Sequence, residues 1–158
     1  MTSDIKQQFT FRISQANSTE MIVILYEMTL QYLSDAAESV EKDDFVGYQG
    51  AVRRARGCIG ELLQSLHLEY ELAAALRQLY LFCLRRLAQA EVRIHPELLQ
   101  EVASVITPLC DAYRQIAAQN TAGPVMQNTQ VVYAGLTYGK NTLTENMTDQ
   151  SMNRGMLI

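Results

Sequence analysis

The stretch Asn17-Ser18-Thr19-Glu20-Met21-Ile22-Val23-Ile24-Leu25-Tyr26-Glu27-Met28 decides how the rest of the chain is read. Asn17 with Glu20 three residues on has the form of a capping box, in which each side chain reaches the other's backbone N–H. An apolar run follows at once. Met21, Leu25, Met28, Tyr32 and Ala36 return at steps of three and four, the period of one helix face. Ile22, Val23, Ile24, Leu30 and Leu33 widen that stripe, so this helix is expected to sit centrally. It fades in the polar connector Glu41-Lys42-Asp43-Asp44.

Working outward, a second helix is predicted from Phe45 to about Leu66, with Phe45, Tyr48, Val52, Ile59, Leu62, Leu63 and Leu66 on its apolar face. A third runs from about Glu69 to Val92 on Leu72, Leu76, Leu79, Tyr80, Cys83, Leu84 and Leu87. His95-Pro96 ends it, because the residue before proline avoids helical geometry and proline suits a first helical turn. A fourth carries Leu98, Leu99, Val102, Val105, Ile106, Leu109, Tyr113 and Ile116, with a kink or short break expected at Pro108. Four amphipathic windows on short connections predict an all-α, antiparallel four-helix bundle. The second helix holds Gly47, Gly50, Gly57 and Gly60, each unfavourable by about 1 kcal/mol against alanine. Two explanations are open: close approach of a neighbouring helix, or a shallow groove that admits a partner's backbone.

The ends differ from the middle. Residues 1–16 read as an extended N-terminal segment, 17–120 as the bundle and 121–158 as a polar tail. The tail is rich in Asn, Thr, Gln and Gly around one β-like island, Val131-Val132-Tyr133-Ala134-Gly135-Leu136-Thr137-Tyr138.

Composition narrows the function. At 158 residues, 48% hydrophobic and 19% charged, the chain has material for one sizeable core. Its longest apolar run, Met21 to Tyr26, is far below the ~20 residues of a membrane span. Met1-Thr2-Ser3-Asp4 shows no secretory pattern, so a cytoplasmic protein is expected. A net charge of −4 and a pI near 5.2 argue against nucleic acid or anionic membrane as main partner. The cluster Arg53-Arg54-Arg56, with Arg85-Arg86, therefore reads as a solvated face or a contact for an acidic protein segment. Cys58, Cys83 and Cys110 are too dispersed for a zinc site and read as reduced core thiols. His67 and His95 have Gln64 and Val92 three residues before them, so neither makes the Glu-x-x-His pair of a di-iron bundle. No phosphate loop or nucleophile elbow is present, so neither an enzyme nor a cofactor is expected. A helical bundle with long apolar stripes suits a module that receives amphipathic helices from another protein.

Three stretches carry a resemblance. Ala16-Asn17-Ser18-Thr19-Glu20 running into Ile24-Leu25-Tyr26-Glu27 resembles the opening of the flagellin export chaperones of the FliS type, where Ala-Asn-Pro leads to a Leu-Tyr-Asp or Leu-Tyr-Glu helix. Ile59-Gly60-Glu61-Leu62-Leu63-Gln64-Ser65-Leu66 is similar to the family's second-helix ending. Leu76-Arg77-Gln78-Leu79-Tyr80 through Leu84-Arg85-Arg86-Leu87 resembles its third-helix segment. Order and spacing hold over about residues 10–118. Ser18 replaces the usual proline, Tyr113 stands where tryptophan is common, and the tail after Asn120 is longer than usual.

The resemblance implies a cytoplasmic four-helix bundle that binds the disordered C-terminal segment of flagellin. It would prevent premature polymerisation and deliver the client to the flagellar type III export gate. The expected groove lies between the second and third predicted helices, with Val52, Ile59, Leu72, Leu76 and Leu79 as candidates and Tyr26 nearby. In the family the N-terminal segment can cover the client site; here Phe9, Phe11 and Ile13, alternating with polar residues, are the expected cover. Val131, Tyr133 and Tyr138 of the tail are a second candidate cover. The competing reading is a helical interaction or scaffold module with no export role.

Overall fold

The computed structural model of the chain describes residues 1–120 and Gly123. Its regular elements there are five α-helices: α1 (Ser3–Gln15), α2 (Ser18–Glu41), α3 (Phe45–Gln64), α4 (Glu71–Val92) and α5 (Pro96–Gln119). Helix α2 opens as its sequence demands. The Asn17 side chain accepts from the Glu20 N–H at 2.9 Å, and the Glu20 carboxylate accepts from the Asn17 N–H at 2.9 Å. The helix stops where Asp43 takes a left-handed φ of 53°. That reversal turns the Asp43 N–H to the Val40 carbonyl at 3.2 Å and the Asp44 N–H to the Ser39 carbonyl at 2.9 Å. Asp44 then caps α3 by accepting from the Gly47 N–H at 2.9 Å.

Helix α2 packs against α3 and α5, and α4 packs against the same two, so the four long helices close a ring. The start of α3 lies beside the end of α4, where the Tyr48 hydroxyl donates to the Ala90 carbonyl at 2.8 Å. The end of α5 lies beside the start of α2, where the Asn120 amide donates to the Thr19 hydroxyl at 2.7 Å. Inside the ring are the buried stripes of each helix, among them Ile22, Val52, Ile59, Leu62, Leu87, Val102 and Ile106. Tyr26, Tyr48 and Tyr80 are wholly buried beside them. Buried hydroxyls need partners. Those of Tyr26 and Tyr80 pair with each other across the ring, and Tyr48 both donates to Ala90 and accepts from the His95 N–H at 3.3 Å.

Three expectations are corrected. The N-terminal segment is a helix rather than an extended strand, and it packs on α2 alone. Thr2 caps it, and Ile5, Phe9 and Ile13 recur every four residues on its half-buried side. Phe11, two residues from each of its neighbours in the supposed alternation, falls on the opposite side and is 68% exposed. Of the kink or short break expected at Pro108, the break is absent: α5 is continuous there, and Pro108 is exposed, so the carbonyl that loses its N–H partner faces water. The glycines of α3 do not mark a close helix approach. A Cβ on Gly50, Gly57 or Gly60 would meet no described atom within 4 Å, whereas one on Gly47 would strike the capping Asp44 carboxylate.

Gly57 is exposed and unconstrained, so Gly57→Ala should raise stability by about 1 kcal/mol. That corresponds to a Tm rise of about 2–4 °C, measurable by thermal melts. An unchanged or lower Tm would mean that the α3 face is occupied.

The core also sets an alkaline limit. Burial pushes the thiols of Cys58 and Cys83 up to about 11, and raises Cys110, Tyr32 and Tyr48 as well. Above the ordinary thiol range the unfolded chain releases protons that the folded one retains. This stability contribution is therefore complete below pH 9 and is lost as pH rises toward 11. Urea midpoints should fall across that window, with a shallower slope in Cys58→Ala.

Candidate functional site

The ring buries most of the residues expected to line a groove. Tyr26, Val52 and Ile59 are 0% exposed and Leu76 is 3% exposed, so all four belong to the core. The ring consumes one apolar stripe of each helix, and Val52 and Ile59 of α3 and Leu76 of α4 lie on those stripes, as Tyr26 does on α2. Leu72 and Leu79 behave differently, at 53% and 38% exposure. Phe9, Phe11 and Ile13 lie on α1 against α2 rather than over α4. Val131, Tyr133 and Tyr138 fall outside the described residues.

Leu72 and Leu79 belong to a second apolar stripe of α4, offset from the buried one: Leu72, Ala75, Leu79, Phe82 and Arg86, at steps of three and four. The Arg86 Nε lies 2.8 Å from the Glu101 carboxylate of α5, which shows that this side of α4 looks toward α5. The opposite side of α4 carries Glu91, which binds Arg53 and Arg56 of α3. On α5, the positions in step with Glu101 are Leu98, Val105, Leu109, Ala112 and Ile116. Leu98, Phe82, Val105 and Leu109 are half-buried against the core, and Ile116 is 41% exposed. Two partly open apolar stripes thus border the seam between α4 and α5, the most sparsely packed of the ring's four seams. The groove passes Arg86 and Glu101 and ends near the α4–α5 turn. There a hollow of about 490 Å³ is bordered by Gln89, Val92, Arg93, His95 and Leu98.

The groove is electrically quiet. Its one described ion pair neutralises itself, and the Arg86 guanidinium also lies over the Phe82 ring at 5.1 Å from the centroid. Arg53 and Arg56 converge on Glu91, and their hydrogen bonds, that from Arg53 foremost, hold its carboxyl below the usual carboxylate range. The basic cluster of α3 is thus partly spent on clamping α3 to α4. His67 Nδ1 lies 3.0 Å from Glu69 and His95 Nδ1 lies 4.0 Å from Glu97, both across local turns. The cysteines are buried, with thiols held protonated, which leaves them chemically quiet. Among the described residues no three His, Cys, Asp or Glu side chains are placed to hold a metal, and no helix is long and apolar enough to cross a membrane. What the arrangement can do is seat an apolar segment alongside α4 and α5.

A chain whose described residues are all-helical, with open apolar side chains along one helix seam, has the form of a module that can seat another chain. The comparison with known families makes the class specific: residues 1–120 match the model of the flagellar protein FliS family, and the chain belongs to that family. It is also similar to the flagellar secretion chaperone FliS of Bacillus subtilis (strain 168). The two are 30% identical over 103 residues, covering 65% of this chain and 77% of the relative. The family is one of chaperones, not enzymes.

The division between core and groove is testable without any partner. Ile59→Asp places a charge at a wholly buried position and should unfold the protein or cost at least about 3 kcal/mol, read by urea denaturation. Leu79→Glu, on the open stripe, should change stability by no more than about 1 kcal/mol.

Proposed function

We propose that this chain is a flagellar export chaperone that holds the C-terminal segment of flagellin in the groove between α4 and α5. The scaffold in this reading is an antiparallel four-helix bundle of α2–α5 working in the cytoplasm. By covering that segment it keeps flagellin from polymerising before export, and the loaded complex is passed to the flagellar export gate. One observation carries the reading: a member of the FliS family leaves Leu72, Leu79 and Ile116 exposed along a single helix seam. The same family membership counts against a scaffold module with no export role.

Magnitudes indicate how such a groove would be used. Each half-open anchor still has part of its 1.5–3 kcal/mol of burial to gain, so three contribute about 2–4 kcal/mol together. Ordering a disordered segment costs roughly 2–5 kcal/mol, and association costs more. A peptide spanning this groove alone should bind weakly. Tight binding requires a client long enough to continue over other parts of the surface, which matches a segment that is unfolded when free.

Calorimetric titration with the C-terminal segment of the same organism's flagellin tests the proposal. Saturable binding with a negative heat-capacity change is expected, and weaker affinity in Leu79→Glu. Binding that is undiminished in Leu79→Glu would place the client elsewhere.

A further inference from the structure

The α4–α5 groove lies within reach of a segment of the chain that the structure does not describe. The end of α5 is pinned to the start of α2 by the bond between Asn120 and Thr19. The tail therefore departs close to Ile116, at the foot of the groove. Eleven residues, 121–131, bring it to Val131, enough to span at most roughly 36 Å when extended. The groove from Ile116 back to Glu101 is about 22 Å long at the helical rise. The stretch Val131–Tyr138 would cover about 26 Å if extended. Reach and length both allow it to lie along the groove.

Chemistry matches as well. From Pro124 to Gly139 the tail holds no charged residue, and it concentrates Val131, Val132, Tyr133, Leu136 and Tyr138. The groove is apolar, and its ion pair is internally neutralised. Helix α1, the other segment that could act as a cover, is occupied on α2. We propose that Val131–Tyr138 docks in the α4–α5 groove of its own chain and competes with the client for it. This inference rests on the groove being the client site. Tethering supplies an effective concentration of about 1 mM. A tail segment whose own dissociation constant is about 0.1 mM then weakens client affinity roughly tenfold.

The experiment titrates the flagellin C-terminal segment into four full-length proteins: the native chain, the tail triple variant Val131→Ser/Tyr133→Ser/Tyr138→Ser, Leu79→Glu, and Leu79→Glu combined with the tail triple variant. The tail triple variant should bind the client about tenfold more tightly than the native chain. A change of less than twofold overturns the tail's role, and if adding Leu79→Glu to the tail variant still weakens binding the groove reading stands by itself. Because Leu79→Glu weakens the tail and the client alike when the native tail is present, the groove is judged in the combined variant: client binding that Leu79→Glu leaves unaffected there overturns the groove reading. Sedimentation of the native chain separates the remaining occupant. A concentration-dependent dimer that is lost in Leu79→Glu and kept in the tail variant would put a second copy in the groove and overturn the tail inference.

Discussion

The hydroxyl pair of Tyr26 and Tyr80 is the constraint on which the ring depends. These residues come from α2 and α4, which do not adjoin in the ring, and each is wholly buried. An unpartnered phenol in such a place costs on the order of 1–3 kcal/mol, so the two helices must keep their depth and rotation for the oxygens to meet. The Tyr113 ring, 5.6 Å from that of Tyr26, ties α5 to the same point. With those rotations set, the inward stripes of all four helices are committed. The stripes next to them are left to the seams.

What happens at each seam then follows from its side chains. Between α3 and α4, the Arg53 and Arg56 guanidiniums close on Glu91, while Gln49 donates to the Glu91 carbonyl at 3.0 Å. Between α2 and α5, Glu27 receives Arg114 at 2.9 Å and is shared with Arg12 of α1. The α4–α5 seam has the single bridge from Arg86 to Glu101, and below it apolar side chains that nothing described covers. An open apolar seam arises there because polar closure was applied elsewhere. The same distribution explains why α1 is held lightly: it buries no residue completely and relies on Arg12 and a few half-buried side chains.

Much of this was legible in the sequence where the signal is local. The start of α2 at Asn17 and the break at His95-Pro96 depend on neighbours within one or two turns, and both lie where the sequence placed them, whereas the inward face of α2 runs through Ile22, Tyr26, Thr29, Leu33 and Ala36 and leaves Met21, Leu25, Met28 and Tyr32 only half-buried. The N-terminal segment was misread because Phe9, Phe11 and Ile13 satisfy a period of two, while Ile5, Phe9 and Ile13 satisfy a period of four, and seven residues do not decide between them. The glycines of α3 were misread for a different reason. A glycine's cost is local, but whether anything approaches it is not, and Gly50, Gly57 and Gly60 face open space among the described residues.

The sequence by itself determined the four long helices, the cap at Asn17 and the family, because hydrogen bonding within a turn and apolar periodicity are properties of contiguous residues. Only the tertiary structure decided which apolar residues stay open and which fill the core. Leu76 and Leu79 are three positions apart on one helix and equally apolar, yet the ring buries the first and leaves the second open. That difference lies in a rotation of α4 relative to α3 and α5. It is set by Tyr80, Glu91 and Arg86 reaching partners 15 to 54 residues away, and no window along the chain contains it.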